Sequence, residues 1–323
     1  MTREHIISMI MSATGASAVG MSRICPVPEE TGTLYRQWIA DGCHADMDYL
    51  EKYGDVRDNP ALLLEGASSI ITAAFSFANP DAMERMRSSG NPIVSEYALG
   101  RDYHKEVRSR LRRAATLLTK EAGGETRICV DTAPLRERYW AARSGIGFIG
   151  LNNYLIIPGA GAHFFLGEIL WTGEPSDGFE EQSATTSRSC VASCDRCMAC
   201  VRACPTGALS RDGRLDARKC LSYLTIESRD PLPHGILPGK RLFGCDTCRK
   251  ACPHQPAHPP VTEIEAFRPR KDVVSLTAGQ WDSMTESEFE TLFQGSAVRR
   301  TTLSHLKDVL ARIKNSEGRG TRS

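Results

Sequence analysis

No stretch of the 323-residue chain is apolar for long enough to cross a bilayer as a helix, and neither charge sign dominates, with 40 Lys and Arg against 39 Asp and Glu. The first absence excludes a helical membrane anchor within these residues. The second leaves no global field to attract nucleic acid, so such a partner must be met by local patches. Apart from a pair of cysteine motifs there is no internal repeat. A secretory leader is not expected either, because Glu4 and His5 interrupt the basic start that would precede the apolar run at 6–11. That run fits a short amphipathic helix leading into a strand near 18–24. With 41% apolar and 24% charged residues, the chain is long enough for two folded domains and a tail.

Cysteine is what the sequence has in quantity. Of twelve, eight lie in Cys194-x2-Cys197-x2-Cys200-x3-Cys204-Pro205, in Cys245-x2-Cys248-x3-Cys252-Pro253, and at Cys220 between them. Three thiolates on one short loop reach different irons of a cubane, while the fourth, beyond a turn, points to a second cluster. Exchange on that pattern assigns Cys194, Cys197, Cys200 and Cys252 to one [4Fe–4S] cluster. Cys245, Cys248, Cys220 and Cys204 then hold the other. A zinc ribbon or a disulfide framework is the alternative, but neither requires a third cysteine and a proline on both sides. Thiolate ligands also suit a reducing cytoplasm. Cys25, Cys43 and Cys129 stand alone and are expected to be buried small hydrophobes. Cys190 is either an alternative ligand or a free thiol.

Residues 1–180 read as mixed α/β. Helices are expected at 34–40 and at 47–52, the latter ended by Gly54, with a buried strand at 68–75. A long helix opens at 97–104. Its stripe is Val107, Leu111, Ala114 and Leu118, with Arg108, Arg110, Arg112 and Arg113 largely off it, either as a solvated face or as a ridge for phosphates. Another strand runs from Arg127 to Val130, followed by Asp131 and a helix at 135–143. Asp131 or Thr132 either caps that helix or stands where α/β proteins place their chemistry. The G-x-G-x-x-G at 145–150 follows a helix instead of a strand, so it is not a dinucleotide site; its glycines permit a tight turn or close packing. A strand at 163–170 is expected to pair with 154–157. Beyond a polar linker at 173–189 lies the cluster region, in which 216–227 must pack on the first domain. The tail holds a basic segment at 267–271, a capping box at Thr285 and Glu288 with its helix ended by Gly295, and a last helix through Leu303, Leu306, Val309 and Leu310. Residues 317–323 are expected to be disordered.

Taken together, these stretches resemble the epoxyqueuosine reductase family. The likeness is carried by MDYL at 47–50 with Arg57, YALGRDYH at 97–104, VDTAP at 130–134 with Glu137 and Arg138, GIGFIG at 145–150, and FLGE at 165–168. It continues through both cysteine motifs, DARKCLSYLTIE at 216–227, and GSAVRR at 295–300. The resemblance implies an α+β protein with a nitroreductase-like, cobalamin-binding α/β domain at 1–180. A ferredoxin-like domain with two [4Fe–4S] clusters at 181–260 and a helical tail at 261–323 would follow. It implies cobalamin contacts from Arg57, Ser95, Asp131, Arg138, Leu155, Leu166, Ser222, Cys245 and Asp246. Asp131 is implied as the proton donor, with a pKa raised by burial. The expected reaction is reduction of epoxyqueuosine to queuosine at a tRNA anticodon, by a monomer fed from a flavodoxin or ferredoxin and with no membrane partner.

Two departures matter. Leu151 stands where the family commonly has lysine. The chain also reads as a short form without the C-terminal helical repeats of many members, leaving phosphate contacts to 108–113, 268–271, Arg299 and Arg300. A dehalogenase-like reductase of a small molecule and a two-cluster electron carrier are the other readings; the residues ahead of the clusters argue against the carrier.

Overall fold

The computed structural model describes residues 1–179, 194 and 196–320. The first 179 residues are built around a sheet of four strands: β1 (Ala18–Arg23), β2 (Ser69–Ser76), β3 (Thr126–Cys129) and β4 (Phe164–Trp171). Their spatial order is β1-β2-β4-β3, and every neighbouring pair is antiparallel. β2 is buried along its whole length, as its unbroken apolar run predicts for a central strand.

The expected pairing of 163–170 with 154–157 is not what forms. β4 is buried over nearly all its residues and lies between β2 and β3, because an apolar strand of this length needs partners on both edges. Leu155–Ile156 pairs instead with Phe148–Ile149, leaving only an Ile157–Gly161 bridge at the turn. In that small ribbon a side chain on Gly147 would meet the Ile156 carbonyl oxygen at 2.2 Å, so the glycine-rich run serves close backbone approach.

Helix α1 (Arg3–Thr14), capped by Thr2, and helix α2 (Tyr103–Ala122) cover one face of the sheet. The stripe of Val107, Leu111, Ala114 and Leu118 is buried there. Helix α3 (Glu137–Arg143) covers the other, where Tyr139 and Trp140 meet Ile70, Cys129 and Leu170. Several boundaries differ from expectation. A helix runs over Glu29–Ala40, the 47–52 segment makes only a 3-10 turn at Asp48–Leu50, and Gly54 opens a short helix instead of ending one. α2 begins at Tyr103, after a 3-10 turn at Glu96–Ala98, because Asp102 caps it by accepting the His104 N–H at 3.0 Å. α3 begins at Glu137 because Thr132 and Leu135 bond back two residues, which ties 130–135 into tight turns.

The cluster region adds helices α4 (Leu221–Ile226) and α5 (Thr247–Lys250). As expected, 216–227 docks on the first domain: the Ala217 N–H donates to the Cys43 carbonyl at 2.8 Å, and the Tyr223 hydroxyl donates to Asp46 at 2.6 Å. Both capping residues of the Thr285 box are engaged, and a second box forms at Thr277 and Gln280. The last helix, α6 (Leu303–Gly320), continues past the point where disorder is expected. One core joins Met83, Leu99, Leu224, Phe243, Trp281 and Leu306, and so draws on all three stretches that the sequence suggests as separate domains. Among the described residues no helix is long and apolar enough to cross a membrane.

Candidate active site

All eleven described cysteines are free thiols, which removes the disulfide framework; Cys190 lies outside the described residues. Cys43 and Cys129 are buried, whereas Cys25 is half-buried and so not the core residue expected. The motif cysteines surround two spaces. Cys194, Cys197, Cys200 and Cys252 line a small pocket. Cys204, Cys220, Cys245 and Cys248 are among the residues lining a larger, open cleft. Among the described residues no three His, Cys, Asp or Glu side chains converge on a single metal ion. Asn152 lines both spaces, and its side-chain amide donates to the Cys248 carbonyl at 3.2 Å. Leu151 is buried against Cys200 and Leu209 in the wall of the smaller cavity.

Arg138, Leu155, Leu166, Ser222 and Cys245 all border the cleft, and so do Tyr103, Glu137 and Phe165. The Ser222 hydroxyl accepts the Cys245 N–H at 3.1 Å, tying α4 to the second cysteine loop. Ser95 and Asp246 are brought together away from that lining: the Ser95 hydroxyl donates to Asp246 at 2.7 Å. Beside them Arg249 donates to Glu96 at 2.8 Å and lies 3.1 Å from Asp246, all three buried. Burial pushes Asp246 up, but Arg249, Lys250 and the Ser95 hydroxyl outweigh it and hold the carboxyl down at about 2. Arg57 is turned to its own segment, donating to the carbonyls of Lys52 and Tyr49.

Asp131 follows the end of β3 with φ +52°, a backbone state rare outside glycine. It does not cap α3. Its N–H donates to Glu137 Oε1 at 2.5 Å, and its Oδ2 lies 2.9 Å from His104 Nε2. The other ring nitrogen of His104 is 2.6 Å from Asp102, and Tyr103 stacks on the His104 ring at 4.2 Å. The hydrogen bonds to Asp102 and Asp131 raise His104 to about 9, against the opposing effect of burial. The expected upward shift of Asp131 is overturned. Burial does raise it, but the His104 hydrogen bond and charge, the Tyr103 hydroxyl and Arg300 prevail, and Asp131 falls below the ordinary aspartate value. At neutral pH the proton therefore sits on the imidazole and the carboxylate receives it, a pair that titrates as a unit. Sequence reading missed His104 and Glu137 as members of this site, and missed Glu168 of β4, which is buried with both oxygens unpartnered and feels the charges of Glu137 and Asp131. The available signal for Glu168 was a lone carboxylate in an apolar strand.

The basic stretches are partly engaged. Arg110 donates to Glu106 and to the Thr14 carbonyl; Arg112 and Arg113 are exposed. Arg268 pairs with Glu265, Arg270 with Asp272 and Arg299 with Glu290. Arg300 clasps Glu227 at 2.7 Å and lies over the exposed Tyr49 ring.

A family model described as "Epoxyqueuosine reductase QueG, DUF1730" matches residues 57–132, and one described as "4Fe-4S double cluster binding domain" matches residues 193–255. The chain is 32% identical over 297 residues to an epoxyqueuosine reductase of Cellulophaga algicola, covering 91% of this chain and 92% of that one. It is 36% identical over 291 residues to an epoxyqueuosine reductase of Pseudomonas aeruginosa, covering 88% and 78%. A crystal structure of epoxyqueuosine reductase with an epoxyqueuosine-modified tRNA-Tyr stem loop shares the fold, with a TM-score of 0.77 at 24% identity over 97% of this chain and 82% of that one. The chain belongs to the epoxyqueuosine reductase family.

Proposed function

We propose that this oxidoreductase reduces epoxyqueuosine to queuosine in tRNA, and that it does so with cobalamin and two [4Fe–4S] clusters. The observation that carries the reading is one cleft bordered by a cysteine quartet and by Tyr103, Glu137 and Arg138, next to Asp131. The donor sets fit the clusters: Cys194, Cys197, Cys200 and Cys252 would hold one, and Cys204, Cys220, Cys245 and Cys248 the other. The cleft fits a large cofactor. It is open to solvent, and Leu155, Phe165 and Leu166 offer an apolar wall on which a large flat cofactor could lie. The first domain is read as nitroreductase-like, with Arg138, Leu155, Leu166, Ser222 and Cys245, which border the cleft, as the cobalamin contacts; Arg57, Ser95 and Asp246 lie off that lining. The setting is a reducing cytoplasm, and the enzyme acts as a monomer fed by a flavodoxin or ferredoxin.

When bound, cobalamin supplies the low-potential nucleophilic chemistry that opens an epoxide. The chain's own residues handle the proton and the substrate. His104 holds a proton on Nε2 against Asp131 Oδ2, and Asp131 passes it to the departing oxygen. Asp102 fixes the imidazole through Nδ1, so the ring faces Asp131. The exposed rings of Tyr49 and Tyr53 and the guanidinium of Arg300 offer stacking and phosphate contacts to an anticodon loop.

The test is anaerobic reconstitution with iron, sulfide and cobalamin, followed by assay of queuosine in tRNA from cells lacking their own reductase. Queuosine formation is expected. Cobalamin uptake without queuosine would point to a small-molecule reductase, and no uptake would leave an electron carrier.

A further inference from the structure

We propose that Glu137, backed by Glu168, is the store of the second proton that the reduction consumes. This rests on the epoxide-reduction reading above. Breaking both C–O bonds of an epoxide and forming the C=C bond takes two electrons and two protons, with the oxygen leaving as water. The electrons come one at a time from the external donor protein. The His104–Asp131 pair carries one transferable proton, so a second acid must stand nearby.

Glu137 has the position for it. It borders the cleft directly, and its Oε1 accepts the Asp131 N–H at 2.5 Å. Among the described residues its carboxyl makes no other hydrogen bond, so Oε2 is left to carry a proton. Glu168 lies in the sheet beneath α3. It is 0% exposed, paired in register with Thr72 and Cys129, and neither of its oxygens has a partner. Alternate strand residues share a face, so Glu168 lies on the side of Leu170, which packs under α3. An unpaired carboxylate cannot persist there, and a carboxylic acid can.

The charges agree with this placement. Burial, followed by the charges of Glu137 and Asp131, pushes Glu168 well above the ordinary glutamate value. Burial and the Asp131 charge lift Glu137 to about 7, while the Asp131 N–H, Arg138 and His104 pull the other way. The groups facing Glu137 are thus Tyr103 and His104 from α2, Asp131 from the loop, Arg138 from α3, and Glu168 and Cys129 from the sheet. Glu137 gives its proton to the leaving oxygen and is recharged from Glu168 or solvent.

Two measurements on the cluster-loaded protein test this. Infrared pH titration of wild type, Glu137→Gln and Glu168→Gln should show two protonated carboxyl bands. One, lost in Glu168→Gln, persists well above neutral pH; the other, lost in Glu137→Gln, titrates near neutrality. Glu137→Gln keeps an acceptor for the Asp131 N–H, so in anaerobic turnover it should lower kcat about a hundredfold at unchanged KM and remove the neutral limb of the kcat profile. Turnover within about twofold of wild type, or no carboxyl proton at neutral pH, would overturn the proposal. Wild-type protein that forms no queuosine would sink the epoxide reading instead. The infrared bands would then show only whether the pair holds a proton, and its role as the store for this reduction would fall with the reading.

Discussion

Arg249 donates to Glu96 across 2.8 Å with both side chains out of water, 1% and 3% exposed. The pair joins α5 of the cluster region to the 3-10 turn ahead of α2, and Asp246 and the Phe77 ring complete the setting of the guanidinium. Removing one partner leaves a buried charge without compensation. Arg249→Met is therefore expected to lose about 3–5 kcal/mol of stability, read as a lower urea midpoint under anaerobic conditions. A loss below about 1 kcal/mol would mean that the pair does not hold these elements together.

Acid should unfold the protein through the same carboxylate. Burial raises Glu96, yet its His163 hydrogen bond, the Arg249 charge and the Asn79 N–H bring it down to about 2. Its stabilisation is present above the ordinary glutamate pKa and is lost as pH falls toward 2. Melting temperature should drop across that window, and Glu96→Gln should flatten the drop; parallel curves would exclude Glu96 as the cause.

His104 titrates on the other side of neutrality. Its folded value is about 9, above the unfolded one, so its contribution is complete below the ordinary histidine pKa and disappears as pH rises through 9. The His104 ring proton resonance should titrate there, and Asp131→Asn should move the midpoint downward. A midpoint near the ordinary value in wild type would show that Asp102 and Asp131 do not share its proton.

Asp131→Asn should retain iron and cobalamin yet lose turnover by about a hundredfold or more, because the amide cannot relay a proton from His104. Normal turnover would remove Asp131 as the donor.

Iron content tests how the cysteines are shared. Cys252→Ser and Cys220→Ser should each lose about half the iron, and the double variant nearly all. Cys194→Ser added to Cys252→Ser should remove little more. Equal iron loss in both double variants would refute the assignment to two quartets.

The motif spacing divided the eight cysteines into the two sets that line the two spaces, since a short loop gathers its own thiols on one side while the cysteine before each proline turns toward the other. The buried run of β2 was legible for the same reason, being local and unbroken. The position of β4 was not. Its neighbours are chosen by burial on both edges, and a nearby short run at 154–157 offered a false partner. The acid chemistry was legible only in part. Asp131 stood out at a strand end, but His104 comes from α2 and reaches it only after folding. The raised pKa expected of Asp131 belongs to Glu137 and Glu168 instead, which the sequence displayed only as letters within longer motifs.

Asn152 borders both the smaller cavity and the cleft, and its amide is tied to the Cys248 carbonyl. The two spaces that would hold the clusters thus share a wall at one side chain, close enough that electrons would cross between them without any part of the fold having to move.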